Sequence, residues 1–262
     1  MQVTSIANAG FLINASKKKI LIDALFGGFE ADWCVVPSSR IVEKMETGAA
    51  PFDHIDVILV SHAHMDHFNA EIVIQHLINN ETGILICPEQ VRLELEKDGR
   101  SAKLSPRIKE ITPAYGTGSQ SIEVKGIGIK VWGLKHSAYY IESEETGKKY
   151  NKHENVQNLG FTIAIDHQKI FHGGDWGVDG MGAEPNPLNV EKIDLAFLDM
   201  GAYLALFGPG ANRMDESRKP EHVVLMHIPP TVDVDELTEE EKQRISAETS
   251  FQTPMQTMEF GD

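Results

Sequence analysis

The sequence predicts an α/β protein, on three observations. Short apolar runs recur along the chain, as in Val57-Ile58-Leu59-Val60 and Ile84-Leu85-Ile86-Cys87, and their lack of alternation marks strands buried on both faces. Between residues 57 and 112 such runs alternate with segments of helical spacing, the order that packs helices against a sheet. Elsewhere paired apolar runs flank polar turns, as antiparallel hairpins do.

Taken in order, Phe11-Leu12-Ile13 and Ile20-Leu21-Ile22 are joined by the polar connection at 14–19 and form the first hairpin, which ends at Asp23. Residues 27–54 contain Gly27-Gly28, Pro37, Gly48 and Pro51, with a short helix around Ile41 to Met45. A connection of that length in a compact domain is usually functional, so it is read as a flap framing a site, with a passive insertion as the alternative. After the strand at 57–60, Phe68, Ile72, Gln75, His76 and Asn79 recur at helical spacing. Strand (Ile84 to Cys87), helix (Glu89 to Lys97) and strand (Ile108 to Thr112) follow.

From Ser121 to Gly133 the apolar residues keep a period near two around Gly126 and Gly128, giving a strand pair or one bulged strand that ends at His136. Residues 142–157 are polar, without apolar period, and read as a mobile loop at the rim of a site; Tyr139, Tyr140 and His153 are candidates to contact substrate. Phe161 to Ile165 and Ile170-Phe171 flank a turn that leaves His167 solvated. The second strand runs into His172-Gly173-Gly174-Asp175, where two glycines let the chain bend and deliver a carboxylate to the strand end. Ile193 to Leu198 is a further buried strand. Beyond it Tyr203 and Phe207 could line a pocket, while Leu204 and Leu206 are assigned to the core. Pro220 to His227 is the last clear strand, with His222 at its start, and from Asp233 the order of Glu before Lys242 and Arg244 suits a solvated helix.

The chain has 262 residues, enough for a sizeable core, and no low-complexity linker divides it, so one domain spanning 1–262 is expected. A net charge of −15 repels polyanions, which makes nucleic acid a poor partner, and the plainer reading is that acidity keeps the protein soluble; a small-molecule substrate is the expected partner. Two cysteines give no disulfide framework: Cys87 reads as a buried small hydrophobe and Cys34 as a loop residue of open exposure. The first residues show no basic and apolar leader pattern and no apolar run is long enough to span a membrane, so a cytoplasmic location is the expectation.

The chemistry is concentrated in Ser61-His62-Ala63-His64-Met65-Asp66-His67, at the end of a buried strand. In extended backbone His62 and His64 project to the same side and can chelate one ion together. Asp66 and His67 sit where the chain turns into a helix, point differently, and could hold a second ion. Imidazole and carboxylate suit zinc, while manganese or iron also bind such donors. A histidine-rich turn with Asp66 as a helix cap is the bland alternative, disfavoured because clustered imidazoles gain little without a metal.

His-X-His-X-Asp-His after an apolar strand resembles the signature of the metallo-β-lactamase superfamily, and the likeness extends over nearly the whole chain, most closely to the metal-dependent hydrolase branch that includes the ascorbate-6-phosphate lactonase. The resemblance implies a four-layer αββα sandwich of two similar halves. It implies His136 as a further ligand, Asp175 as a carboxylate between two metals, and His227 as the last ligand, with His172 and His222 outside the set. His62, His64 and His136 would then hold the first ion, and Asp66, His67 and His227 the second. Such a binuclear centre activates a bridging water as hydroxide, with Asp66 orienting it, to cleave a small ester, lactone or phosphodiester. Two other classes are weighed: a non-catalytic metal-binding regulatory protein, and a diiron oxidoreductase, disfavoured because His64 stands where those relatives carry a carboxylate. Ala24 after Asp23 and Asp199-Met200 depart from the branch's usual residues.

Overall fold

The computed structural model describes residues 1–178, 186–208, 211, 214, 216–228, 249–251 and 254–261. Strands β1 (Gln2–Ala7), β2 (Gly10–Ala15) and β3 (Lys18–Ile22) form an antiparallel meander. Helix α1 (Ser39–Thr47) leads to β4 (Val57–Leu59), α2 (Ala70–Asn79), β5 (Ile84–Cys87), α3 (Glu89–Glu96) and β6 (Ile108–Glu110), and β3, β4, β5 and β6 pair in parallel. The second half opens with the hairpin β7 (Ser119–Val124) and β8 (Ile127–Lys135), then a ribbon of β9 (Tyr140–Glu142) and β10 (Lys149–Asn151). Strands β11 (Gln157–Ile165) and β12 (Gln168–His172), helix α4 (Pro187–Val190), β13 (Leu195–Asp199), α5 (Met200–Phe207), β14 (His222–Met226), β15 (Thr249–Phe251) and β16 (Thr257–Glu259) complete it.

The sheet orders are β16-β1-β2-β3-β4-β5-β6 and β15-β14-β13-β12-β11-β8-β7. Each sheet runs from antiparallel hairpins into parallel strands, so the two halves repeat one plan. Burial follows side-chain alternation. Val57 and Leu59 face the other sheet, where they meet Phe161, Ile163 and Phe197, whereas Ile58 and Val60 face Ile72, Val73 and Leu77 of α2. On the far side, Ala196, Leu198 and Leu225 pack against Leu188 of α4 and Tyr203 of α5. Three apolar layers between four structural layers give the αββα sandwich.

Strands β8, β12, β13 and β14 point the same way, because β8 and β12 are both antiparallel to β11 and the last three are parallel. Their carboxyl ends therefore share one edge, the place where open α/β sheets gather ligands.

Several expectations are corrected. Residues 142–157 are not a structureless loop: β9 and β10 pair there, each too short for an alternating pattern to register. Of the two readings of 121–133, the strand pair is the one found, with Lys125 and Gly126 both at positive φ in the turn. Tyr203 is buried in the outer core beside Phe207, and Leu204 is 39 % exposed because α5 turns it away from that core. The helix expected from Asp233 lies outside the described residues.

Helix α1 is fixed to α2 by His76, whose Nδ1–H donates to the Met45 carbonyl at 2.7 Å, and by Asn79, whose amide donates to the Glu46 carbonyl at 2.7 Å. His76 Nε2 is buried without a hydrogen-bond partner, and burial, assisted by Arg107, holds the imidazole pKa below its ordinary 6.5 against the pull of the Met45 carbonyl. The unfolded chain binds this proton more readily than the folded one. The stability involved is full above pH 6.5 and is lost as pH falls below it. The thermal midpoint should thus drop between pH 7 and 5, and His76→Gln, which keeps a donor to Met45, should flatten that drop; an unchanged slope would contradict this assignment.

Candidate metal centre

Four loop segments at the common edge bring the seven residues of the sequence-predicted site together. His62, His64, Asp66 and His67 follow β4, His136 follows β8, Asp175 follows β12 and His227 follows β14. The turn at Gly174 has φ 56°, and a Cβ there would stand 2.3 Å from Asn158 Oδ1 and 2.9 Å from the Ser61 side chain, so glycine is required where the two sheets' loops meet. Asn158 Oδ1 accepts the Asp175 N–H at 3.2 Å, and its amide donates to the Gly173 carbonyl at 3.2 Å. His227 adopts φ 60°, a left-handed conformation costing about 1–2 kcal/mol for a residue with a Cβ. Its N–H donates to the Asn8 carbonyl at 3.2 Å.

The donors fall into two groups. His62, His64, His136 and Asp175 form one, and Asp66, His67 and His227 the other, with the ligand atoms of each within 4.8 Å of one another. In the first, His64 Nδ1 lies 3.1 Å from His62 Nε2 and 3.2 Å from His136 Nε2. In the second, Asp66 Oδ2 lies 3.0 Å from His227 Nε2 and 3.5 Å from His67 Nε2. Asp175 reaches both: its Oδ2 is 3.4 Å from His136 Nε2 and 3.5 Å from His227 Nε2, while its Oδ1 is 3.0 Å from His67 Nε2.

The outer contacts fix which nitrogen of each ring carries the proton. Asp23, at the end of β3, accepts the Ser61 N–H on Oδ1 at 2.7 Å and the Ser61 hydroxyl on Oδ2 at 2.6 Å. Having donated there, Ser61 Oγ must accept from His62 Nδ1–H, at 2.8 Å. His67 Nδ1–H donates to the same Asp23 Oδ2 at 2.9 Å, and His136 Nδ1–H to the Ser137 carbonyl at 2.8 Å. With Nδ1 engaged outward, each of these rings turns its Nε2 inward, the atom left to bind a metal. Asn8, at φ 48°, completes the shell by donating its amide to Asp66 Oδ2 at 2.9 Å.

The electrostatics match a cation. Burial holds His62 well below its ordinary pKa, with His67 adding to the effect, and burial with His136 and His153 lowers His64 to about 4, so both rings are neutral donors. Burial opposes ionisation of Asp175 and Asp66, yet His67 and His227 outweigh it and keep both carboxyls below the usual range. Burial likewise opposes charge on His67 and His227, but Asp175 and Asp66 raise both, so this end of the site favours positive charge. His67 Nε2 and Asp175 Oδ1 are buried and make no hydrogen bond among the described residues. Converging lone pairs, ionised carboxylates and orphaned buried donor atoms fit divalent metal ions, with nitrogen and oxygen as the donor set.

Of the remaining candidates, His153 sits against the site, its ring centroid 4.4 Å from His136 and 4.7 Å from His64, with Nδ1–H donating to the Ser137 carbonyl at 3.1 Å. Tyr139 lies beside it at 5.6 Å and Tyr140 is exposed on β9. His172 is structural: Nε2 donates to the Ala9 carbonyl at 2.9 Å and Nδ1 accepts the Gly174 N–H at 3.1 Å. His167 occupies an exposed turn, and His222 packs on Phe260. Cys87 is buried in β5, and Cys34, left open by the sequence, is buried too. Asn8, Ser61 and Asn158 escaped sequence reasoning; their only signal is position, a small polar residue at a strand end.

Asp23→Asn replaces an acceptor of three hydrogen bonds by a group that must donate at one of them. Metal affinity, measured by competition with a chelator, should fall about 10- to 100-fold with the far-ultraviolet circular dichroism spectrum unchanged.

The model of a family described as a β-lactamase superfamily domain matches residues 18–230. A UPF0173 metal-dependent hydrolase of Pelotomaculum thermopropionicum is 26% identical over 265 residues, covering 99% of this chain and 100% of the relative. Among solved structures, Igni18, a metallo hydrolase from Ignicoccus hospitalis, is similar with a TM-score of 0.61 at 17% identity, covering 99% of each chain. An isothiocyanate hydrolase from Delia radicum gut bacteria is similar with a TM-score of 0.60 at 16% identity, also covering 99% of each chain. The family match over most of the chain, on an αββα sandwich with this histidine and aspartate cluster at its edge, identifies the chain as a member of the metallo-β-lactamase superfamily.

Proposed function

We propose that this chain is a metal-dependent hydrolase with a binuclear centre that cleaves a small ester, lactone or phosphodiester. One observation carries the reading: a single buried carboxylate, Asp175, turns one oxygen toward His136 and His227 and the other toward His67, so that it faces both donor groups. His62, His64 and His136 with Asp175 would hold one ion, and Asp66, His67 and His227 with Asp175 the other. Zinc suits this donor set best, and manganese or iron would also fit. The names of relatives such as the Pelotomaculum protein support the same activity class.

Bound divalent ions lower the pKa of a coordinated water and polarise a carbonyl or phosphoryl oxygen. The chain's own part is orientation. Asp66, ionised and anchored through Oδ2 by Asn8, accepts a hydrogen bond from the attacking water and aims its lone pair at the substrate. His153 stands beside His64 and His136, with Tyr139 behind it, where a bound substrate would lie against the imidazole. No helix among the described residues is long and apolar enough to cross a membrane.

Chelation should abolish hydrolysis across a panel of aryl esters, lactones and phosphodiesters, and added zinc or manganese should restore it. His64→Ala should not be restored. Asp66→Asn should lose about 100-fold or more in kcat. Hydrolysis that survives both chelation and His64→Ala, or none in metal-replete protein on any panel member, would contradict the proposal.

A further inference from the structure

Strand β13 runs between β12, which delivers Asp175, and β14, which delivers His227, and is parallel to both. Its last residue, Asp199, is paired in register with Met226, one residue before His227. On the other side the Phe197 carbonyl accepts the Gly173 N–H at 3.3 Å, so β12 and β13 leave the sheet side by side. Alternation then aims the side chain. Leu195 and Phe197 face the layer between the sheets and Ala196 and Leu198 face the outer helices, so Asp199 continues the inner row to the edge that holds the metal centre.

The two carboxylate oxygens of Asp199 differ. Oδ1 accepts the Ala202 N–H at 2.9 Å and caps α5. Oδ2 is buried and has no hydrogen-bond partner among the described residues. Three more of the orphaned buried atoms, Asn8 Oδ1, His67 Nε2 and Asp175 Oδ1, belong to the metal centre and its supporting shell. Burial pushes the Asp199 carboxyl up to about 6, with Asp175 adding to the rise and the Ala202 N–H and His227 opposing it. The group is therefore ionised at pH 8 and feels both flanking ligands. Serine or asparagine would cap the helix as well without burying a second, unsatisfied carboxylate oxygen, so capping does not account for Oδ2.

Resting on the hydrolase reading above, we propose that Asp199 determines specificity: its Oδ2 accepts a hydrogen bond from a hydroxyl or amino group of the substrate, held on the His227 side of the centre. The substrate is thereby narrowed to an ester or lactone that carries a donor near the reacting carbonyl. A carboxylate pinned through its other oxygen loses little freedom when it binds that donor. An analogue without the donor leaves Oδ2 desolvated and unpaired, and is rejected for that reason.

The test uses the full metal-replete chain at pH 8 and two aryl esters, each corrected for spontaneous hydrolysis: phenyl glycolate, whose hydroxyl donates, and phenyl methoxyacetate, whose ether oxygen cannot. kcat/KM should favour the glycolate by about tenfold or more. Asp199→Ser and Asp199→Asn keep a capping oxygen, lose the free carboxylate oxygen, and should bring the ratio close to one. The serine variant's thermal midpoint should match or exceed the parent's, because the cap stays and an unsatisfied buried oxygen goes. A ratio that is the same in parent and variants, as a mere cap or a contact to bound water would give, overturns the proposal; so does a lowered midpoint in the serine variant, which would make Oδ2 part of the fold's own support. Calorimetric titration of the parent and the serine variant with glycolate and with methoxyacetate separates the two readings. A glycolate preference that the serine variant loses, without hydrolysis of any ester, lactone or phosphodiester, would sink the hydrolase and keep the role of Asp199; no such preference overturns that role.

Discussion

Seven side chains that can present lone pairs or negative charge, five of them buried and His64 and His227 half-buried, converge at one edge of the sandwich, an arrangement that suits a cation. Three imidazole nitrogens meet around His64 at 3.1 and 3.2 Å, and the carboxylates of Asp66 and Asp175 close the other side. Without positive charge the lone pairs repel and the carboxylates keep their full desolvation cost. The rest of the structure serves this convergence. Four strand ends aim the loops, Gly174 lets two of them touch, and Asp23 holds Ser61 and His67 from behind.

Asp23 illustrates how a fold couples remote parts of a sequence. It ends β3, 38 residues before Ser61 and 44 before His67, yet its two oxygens set the proton positions on two imidazoles. One of them, Oδ2, takes both the Ser61 hydroxyl and the His67 ring. A site built this way is rigid where it must be, since the rings that face inward are fixed by bonds that face outward.

The part of the site legible in the sequence was the part that is local. His62, His64, Asp66 and His67 fall within one loop, so their chemistry could be read from spacing alone. His136, Asp175 and His227 each stand at a different strand end, and no local pattern says that those ends converge; a resemblance was needed to join them. Asn8, Ser61 and Asn158 were invisible because small polar residues at strand ends usually bond to backbone. The sheets were legible from apolar periodicity, whereas the β9 and β10 ribbon was not, since Tyr140, Ile141 and Tyr150 are too few to show a period. The exposure of Cys34 could not be read from the sequence, because nothing local shows how the chain at 27–54 packs; the thiol is buried.

Asp175 would join the two ions of the proposed binuclear centre. The most direct measurement is the metal content of the purified chain and of Asp175→Ala, by elemental analysis after dialysis against metal-free buffer. About two divalent ions per chain are expected in the parent, predominantly zinc or manganese, with a loss of at least one in the variant. One ion or none in the parent, even after metal is supplied, or two retained without Asp175, would contradict it.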